Sequence, residues 1–403
     1  MTTAHIIMAT LWKRAILPPF LKESRISFLS LKTARRYLDA GRIGEIFAPG
    51  DKAVFWGALE AKNPELRRLA QDLVSRGITV VRAEDAFIRS NGLGCNYYYP
   101  YSLAFDETGI YYDPRRPSDL ENILIHLRER PDYQDLRLRG EKLRDLILRG
   151  GITKYRSGIP PKPIPAVTAL LRDNPGKYDG VIFIPAQVDN DASVITGGLG
   201  YTNISLLRRV RKDNPRALIM VKIHPDVLNG LRKGLPEAEE LQRLADYIAA
   251  DDTGAPDLAE IADEVHTISS LAGFEAMLRG KKTVVYGMPF YAGYGLTRDV
   301  SAADGNEIAR AAELRRRNAI QDLTDLIIGA LLLYPRYYNW DTGAAATAEE
   351  IAETLMTHPE GTRYHRVFQA GARVYAGAVK AWHFFAGRGS RKGPKPSGNQ
   401  DSR

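Results

Sequence analysis

Short continuous apolar runs alternate along this chain with stretches whose apolar residues recur every three or four positions, the pattern of buried strands separated by amphipathic helices. The run Lys52-Ala-Val-Phe-Trp-Gly57 reads as a buried strand. Residues 64–76 then place Leu66, Leu69, Ala70 and Leu73 at helical spacing before Gly77 stops the helix, and residues 78–82 supply a second strand. Strand, helix and strand in that order predict a right-handed βαβ unit. Two short runs, 102–105 and 110–112, flank Asp106-Glu-Thr-Gly109 and predict a hairpin. Helices are expected over 118–129 and 133–149.

Four prolines between Ser157 and Pro165 remove backbone donors and fix φ, so that stretch predicts a stiff connection between domains. Beyond it, strands at 181–184 and 217–223 alternate with helices at 203–212 and 237–249. Residues 265–286 then read as strand, turn, helix and second strand in one unbroken run, and the chain after Gly293 is mostly helical to Tyr334. The organisation expected is a basic N-terminal arm (1–50), a first Rossmann-like domain (51–156), a linker (157–165) and a second, nucleotide-binding Rossmann-like domain (166–340). A helical segment (341–386) and a disordered basic tail (387–403) follow.

Composition supports two α/β domains: 403 residues with 44% hydrophobic content exceed one ordinary core. The net charge of +8 is concentrated early, where Lys13, Arg14, Lys22, Arg25, Lys32, Arg35, Arg36 and Arg42 face only Glu23, Asp39 and Glu45. Such an end suits an anionic bilayer, an acidic substrate or a solvated face; nucleic acid is disfavoured because no recognition module accompanies the charge. The arm is expected to rest on anionic lipid through Trp12 and Phe20. Cys95 is the only cysteine, which excludes an internal disulfide and predicts a cytoplasmic location. The opening apolar stretch is broken by Lys13, Arg14, Pro18 and Pro19, unlike a signal peptide, and no later run is long enough to span a bilayer.

Ligands of open α/β sheets sit beyond the carboxyl ends of the strands, which singles out three places in the second half. Gln187-Val-Asp189-Asn-Asp191 follows one strand, His224-Pro225 another, and Ser269-Ser270 a third, with Glu275 one turn along the next helix. Ser269 and Ser270 at a helix start can offer amides and hydroxyls to a phosphate, or can merely cap the helix. Asp189 and Asp191 suit a nucleophile or base, or an Asx turn. Proline after His224 directs the imidazole toward the crevice, whereas Glu275 by spacing alone faces solvent. In the first half, Glu84, Asp85, Arg89 and Ser90 follow a strand and offer two acids and a cation, or an ordinary polar loop. Histidines without ligand spacing and one cysteine disfavour a metal site, and Walker, Gly-x-Gly-x-x-Gly and Gly-x-Ser-x-Gly motifs are missing.

Several of these segments occur together as longer motifs: Glu84-Asp-Ala-Phe-Ile-Arg-Ser90, Ser102-Leu-Ala-Phe-Asp106, Gly109-Ile-Tyr-Tyr-Asp113, Gln187-Val-Asp-Asn-Asp-Ala-Ser193 and Lys222-Ile-His-Pro-Asp226. Val265-His-Thr-Ile-Ser-Ser-Leu-Ala-Gly-Phe-Glu275 and Tyr286-Gly-Met-Pro-Phe-Tyr-Ala-Gly-Tyr-Gly-Leu-Thr297 complete the set. In order and kind they resemble the capsule polysaccharide β-Kdo transferases of the KpsC/KpsS/LipB group. The resemblance runs from about residue 80 to Arg336; Met288 stands where that pattern leads one to expect a polar residue. It implies a GT-B-like fold and a retaining transfer of Kdo from CMP-β-Kdo, without a cofactor, to lipid-linked Kdo or a phosphatidylglycerol-type acceptor. The place implied is the inner face of the cytoplasmic membrane, with room for a second Kdo transferase.

Retention calls for two displacements, so a carboxylate attacks first. The family's Gln-x-x-x-Asp pattern puts that role on Asp191, with Asp189 as fallback and Gln187 in the site. His224, Ser269 and Ser270 would take up charge on the leaving CMP, with Lys222, Pro225, Gly273 and Glu275 in the same binding motifs. Asp85 or Glu84 would accept the acceptor's proton, and Arg89 would pair with the Kdo carboxylate. The alternatives are a GT-B transferase using CMP-sialic acid or a UDP-sugar, and a non-catalytic binding subunit of capsule assembly.

Overall fold

The computed structural model describes residues 2–57, 63–92, 98–155, 161–224, 238–249 and 253–358. In chain order the first strands are β1 (Thr3–Ile7), β2 (Arg25–Leu29), β3 (Lys52–Trp56), β4 (Thr79–Asp85) and β5 (Ser102–Asp106). There follow β6 (Gly180–Pro185), β7 (Ala217–Lys222), β8 (Tyr247–Ala249), β9 (Glu264–Thr267), β10 (Lys282–Val285) and β11 (Arg298–Asp299). The last two are β12 (Pro335–Asn339) and β13 (Ala344–Ala346). They make a seven-stranded sheet, β13-β12-β5-β4-β3-β1-β2, and a six-stranded sheet, β11-β10-β9-β6-β7-β8, whose pairings are all parallel.

The predicted βαβ unit is β3, the helix Pro64–Ser75 and β4. Asn63 caps that helix, its Oδ1 accepting the Glu65 and Leu66 amides, and Pro64 occupies the first turn where its missing N–H costs nothing. Leu66, Leu69, Ala70 and Leu73 are buried against the sheet, the face their spacing called for.

Five expectations are corrected. The first fifty residues are not an arm: β1 pairs in parallel with both β2 and β3, inside the first sheet. Ala4, Ile6 and Ile7 fill core positions there, and Phe20 is 3% exposed, so Phe20 offers nothing to a membrane. The hairpin partner at 110–112 is not a strand, because the flank of β5 it needs is taken by β12. The buried Asp106 carboxylate instead accepts the Gly109 and Asp119 amides and the Tyr334 hydroxyl, folding 107–118 away from the sheet. The helix expected over 237–249 is described as Ala238–Leu244 followed by β8. Asp246 makes the break: its amide reaches the Ile219 carbonyl and its carboxylate accepts the Ile219 amide and Arg211, which pulls the next residues onto β7. The segment after 340 begins with β13, and a helix follows at Ala348–Thr357. Pro165, expected in the linker, is the first residue of the helix Pro165–Asp173. The tail from 387 lies outside the described residues.

The two halves pack through aromatic rings: Phe87 of the first meets Phe290 at 4.4 Å and Phe274 at 6.4 Å. Beside them Glu121, 1% exposed, takes Arg315 at 2.7 Å and Arg316 at 2.9 Å, and Arg316 also donates to the Pro289 and Ala292 carbonyls. A buried carboxylate satisfied by two guanidinium groups fixes how the halves meet.

Candidate active site

In the second sheet the strand order reverses between β6 and β9, which pair although the chain visits β7 and β8 between them. A reversal of this kind is where open sheets bind ligands. Gln187, just past β6, spans it: its Oε1 accepts the Ser269 amide at 2.9 Å and its Nε2 donates to Ser269 Oγ at 3.2 Å. Asn203 supports the loop, its Nδ2 donating at 2.7 Å to the Gln187 carbonyl and at 2.7 Å to Asp189 Oδ1. Asp191 caps the short helix Ala192–Gly197, its Oδ1 accepting the Ser193 amide at 3.0 Å and hydroxyl at 2.9 Å. Ser269 Oγ donates to the Ser193 carbonyl at 3.1 Å, so the half-buried Asp191 and the serine turn are joined through one residue.

Capping, the plainer reading of the Asp and Ser motifs, is therefore what the resting geometry displays. It also corrects the expectation of amides open to a phosphate. The Ser269 amide is held by Gln187 and the Ser270 amide by Thr267 Oγ1 at 3.1 Å, while Ser270 Oγ caps the helix Leu271–Leu278. Gly273 is glycine for packing: an added Cβ would strike the Tyr291 hydroxyl, which itself donates to the Ser270 carbonyl. Lys222 ends β7 and is 8% exposed, and His224 stands two residues further along the same carboxyl edge, half-buried. Pro225 lies outside the described residues.

In the first half, Glu84 and Asp85 are the last two residues of β4, still paired with β5. Asp85 Oδ2 lies 2.8 Å from Arg89 Nε, and Arg89 Nη1 donates to Ser90 Oγ at 2.7 Å and to the Tyr98 carbonyl at 3.1 Å. Arg89 is 1% exposed and Ser90 fully buried, so the expected pairing of Arg89 with a substrate carboxylate is corrected: it holds Asp85. Glu275 is corrected too. Rather than facing solvent it turns to the same recess, where its Oε1 accepts the Lys154 amide at 2.8 Å.

Burial pushes the Glu84 carboxyl up to about 7, the neighbouring Asp85 carboxylate adds to the rise, and Lys13 opposes it. Burial acts on Asp85 as well, but there the Arg89 guanidinium, with Lys13 and Lys154, outweighs it and holds the carboxyl below its ordinary range. Adjacent carboxyls driven in opposite directions are the pattern of a site that moves protons near neutral pH. Burial likewise raises Glu275.

Tyr112 joins the two halves. A Cβ added at Gly57, just past β3, would lie 2.7 Å from Glu84 Oε2 and 3.0 Å from the Tyr112 hydroxyl. The Tyr112 carbonyl accepts Thr196 Oγ1 at 3.3 Å, and Ala192 packs against Ile110 and Tyr112. The acid at the end of β4 and the Tyr112 hydroxyl thus both border Gly57, and the Tyr112 carbonyl touches the helix that Asp191 caps. Sequence reasoning did not single out Lys13, Tyr112 and Lys154, which lie beside these candidate residues. Tyr112 stood inside a quoted motif, whereas Lys13 was counted only as part of a charge run.

A family model described as "Capsule polysaccharide biosynthesis protein" matches residues 51–145 and 163–337. The capsule polysaccharide modification protein LipA of Neisseria meningitidis serogroup B is 37% identical over 358 residues, which are 87% of this chain and 45% of LipA. The chain therefore spans about half the length of that relative. The lipopolysaccharide-processing protein LpsZ of Rhizobium meliloti is 33% identical, covering 87% of this chain and 73% of LpsZ. Among solved structures, Thermosulfurimonas dismutans KpsC, β Kdo 2,7 transferase, superposes with a TM-score of 0.65 at 32% identity, covering 88% of this chain and 99% of the other. The KpsC β Kdo 2,4 transferase of that organism gives 0.67 at 30% identity, covering 88% and 98%. The architecture is the GT-B-like one, with two Rossmann-type domains built on parallel-rich sheets.

Proposed function

Because this chain belongs to the capsule polysaccharide biosynthesis family, we propose that it is a retaining β-Kdo transferase. Its donor is CMP-β-Kdo, and it builds the poly-Kdo linker of a capsule on a phosphatidylglycerol-type lipid. The observation that supports this reading is that Glu84 Oε2 and the Tyr112 hydroxyl both border Gly57, while the Tyr112 carbonyl accepts Thr196 of the helix that Asp191 caps. A double displacement needs a nucleophile and a proton acceptor, roles this reading gives to Asp191 and Glu84.

In the first step the Asp191 carboxylate attacks the anomeric carbon of Kdo, the bond from that carbon to the CMP phosphate oxygen breaks, and CMP leaves with the electron pair. Ser193 holds Asp191 Oδ1 and sets the direction of attack. His224 and Lys222, at the carboxyl edge of β7, meet the charge on the departing phosphate. In the second step the acceptor hydroxyl attacks the same carbon from the vacated face, Glu84 takes its proton, and the ester to Asp191 breaks. Two inversions return the β configuration. The reaction as written uses no cofactor.

Peripheral binding at the inner face of the cytoplasmic membrane is part of the proposal. No helix among the described residues is long and apolar enough to cross a membrane. Support comes from Leu11 and Met8, 72% and 42% exposed, and from the exposed Phe28, over whose ring Arg14 sits at 5.2 Å. Apolar side chains beside a cation suit an acidic lipid surface. A second Kdo transferase, on another chain, would complete the linker.

The test incubates purified protein with CMP-Kdo and a panel of lipid-linked and synthetic Kdo acceptors, with CMP-sialic acid and UDP-sugars as donor controls. Transfer from CMP-Kdo with retained configuration is expected. No turnover with any Kdo acceptor, or transfer from a control donor only, refutes the reading.

A further inference from the structure

The first sheet has a reversal of its own. Its strand order turns between β1 and β3, which pair in parallel while β2 lies on the far side of β1. By the rule that located Gln187 in the second sheet, the carboxyl ends of β1 and β3 should hold a ligand. The residues found there are Lys13, in the short helix Leu11–Ile16 that follows β1, and Trp56 and Gly57 at the end of β3. Lys13 Nζ lies 2.8 Å from the centroid of the Trp56 ring.

Among the described residues three cations share this recess, and two have partners. Arg89 holds Asp85, and the Lys154 ammonium sits over the Tyr155 ring, 5.5 Å from its centroid. Lys13 feels Glu84 and Asp85 across the recess, yet among the described residues no carboxylate lies within 4 Å of its ammonium. Burial brings its pKa down to about 8, so at neutral pH it is a charged donor held in a poorly solvated place. A second group is also left waiting: Asp85 Oδ1 is buried and has no hydrogen-bond partner among the described residues. Buried polar atoms are ordinarily satisfied, and one at a strand's carboxyl edge calls for a ligand donor.

We propose that Lys13 is the anchor for an anionic group of the acceptor, a carboxylate or a phosphodiester, at the reversal point of the first sheet. Asp85 Oδ1 accepts a hydroxyl of the same molecule, while Glu84 beside it takes the proton of the attacking one. The aromatic face of Trp56 supports the ammonium from below and leaves its other donors to the ligand. This rests on the transferase reading and adds to it the chemical class that the acceptor half selects.

The test uses the full chain with four variants of a soluble acceptor: Kdo glycoside as the free acid, the same glycoside as its methyl ester, and lipid analogues with a phosphodiester or a neutral linkage. Lys13→Met should raise KM for one anionic acceptor by about tenfold or more, the scale of a lost charged hydrogen bond, with the KM of CMP-Kdo unchanged. Lys13→Arg should restore most of it, and the neutral partner of the sensitive acceptor should bind wild type and Lys13→Met alike. Sensitivity confined to the free acid assigns the site to the sugar, and sensitivity confined to the phosphodiester assigns it to the lipid. Equal effects on charged and neutral acceptors, or an effect on donor KM alone, overturn the proposal. Calorimetry without donor separates it from the reaction: binding of an anionic acceptor to wild type but not to Lys13→Met upholds the anchor even if no transfer occurs. Absence of binding by every acceptor overturns it.

Discussion

Replacing Glu84 by Gln should make the protein more stable and less active, and both effects follow from one buried carboxyl. In the folded state burial lifts its pKa from 4.5 to about 7, so the fold binds this proton more tightly than the unfolded chain does. The stabilisation this represents is complete below pH 4.5 and is lost as pH rises to about 7, leaving an ionised group in a poorly solvated recess. A shift of that size corresponds to roughly 3 kcal/mol, and since the charge is shared with Lys13 and Asp85, about 1–3 kcal/mol is the expected gain on neutralising it. Gln keeps a carbonyl oxygen where Glu84 Oε1 accepts the Asp85 amide at 2.9 Å, so the local geometry survives. Scanning calorimetry should show Tm for Glu84→Gln above wild type by roughly 1–4 °C at pH 8, and no difference near pH 4.5 if both remain folded there. Turnover should fall by about 10²–10⁴ at pH 8, and the acid limb near pH 7 in the wild-type rate profile should disappear. A variant that is no more stable at pH 8, or that keeps turnover within a few fold, would refute the argument at its root.

Asp191→Asn retains the oxygen that caps Ala192–Gly197, so stability should move by less than about 0.5 kcal/mol in urea unfolding, while turnover is abolished; Asp191→Ala should lose activity and about 1 kcal/mol together. Unchanged turnover in Asp191→Asn would favour a non-catalytic binding subunit. Leu11→Glu should abolish flotation with acidic liposomes and leave transfer to a water-soluble acceptor intact; retained flotation removes Leu11 from the membrane contact. Glu121→Gln strands the buried Arg316 without its counter-charge and should cost about 3–5 kcal/mol, read from the shift of the urea midpoint.

What the sequence disclosed depended on whether a local pattern had one structural meaning. The periodicity at Leu66, Leu69, Ala70 and Leu73 had only one, as did the segment from β9 to β10, and both are found as read. Residues 241–249 had two, because Leu241, Leu244, Ile248 and Ala249 keep helical spacing; a carboxylate reaching Ile219, 27 positions away, decides for β8. The first fifty residues were obscured by their charge. β2 is an edge strand whose half-exposed residues give no clean alternation, and β1 declares itself only by pairing with β3. That concealed Lys13. Gln187 and Asp191 could be singled out as candidates because they follow an apolar strand, but no sequence spacing states that Gln187 already occupies the Ser269 amide. A ligand taken up by the Ser269 amide would require Gln187 to yield, a rearrangement invisible in any pattern of residues.

The return of β12 and β13 to the first sheet means that this polypeptide passes between its halves twice, once on leaving the helix Tyr133–Arg149 and once at Tyr334. Cutting the chain at the proline-rich connection would not yield two autonomous pieces. The leading fragment would lack the strand that covers β5 and would expose a raw hydrogen-bonding edge, while the trailing fragment would carry an orphan ribbon in search of it. Mixed together, such fragments should reassemble, each supplying the edge the other lacks. Two tethers also restrict any relative motion of the halves to a pivot about a line through both crossings.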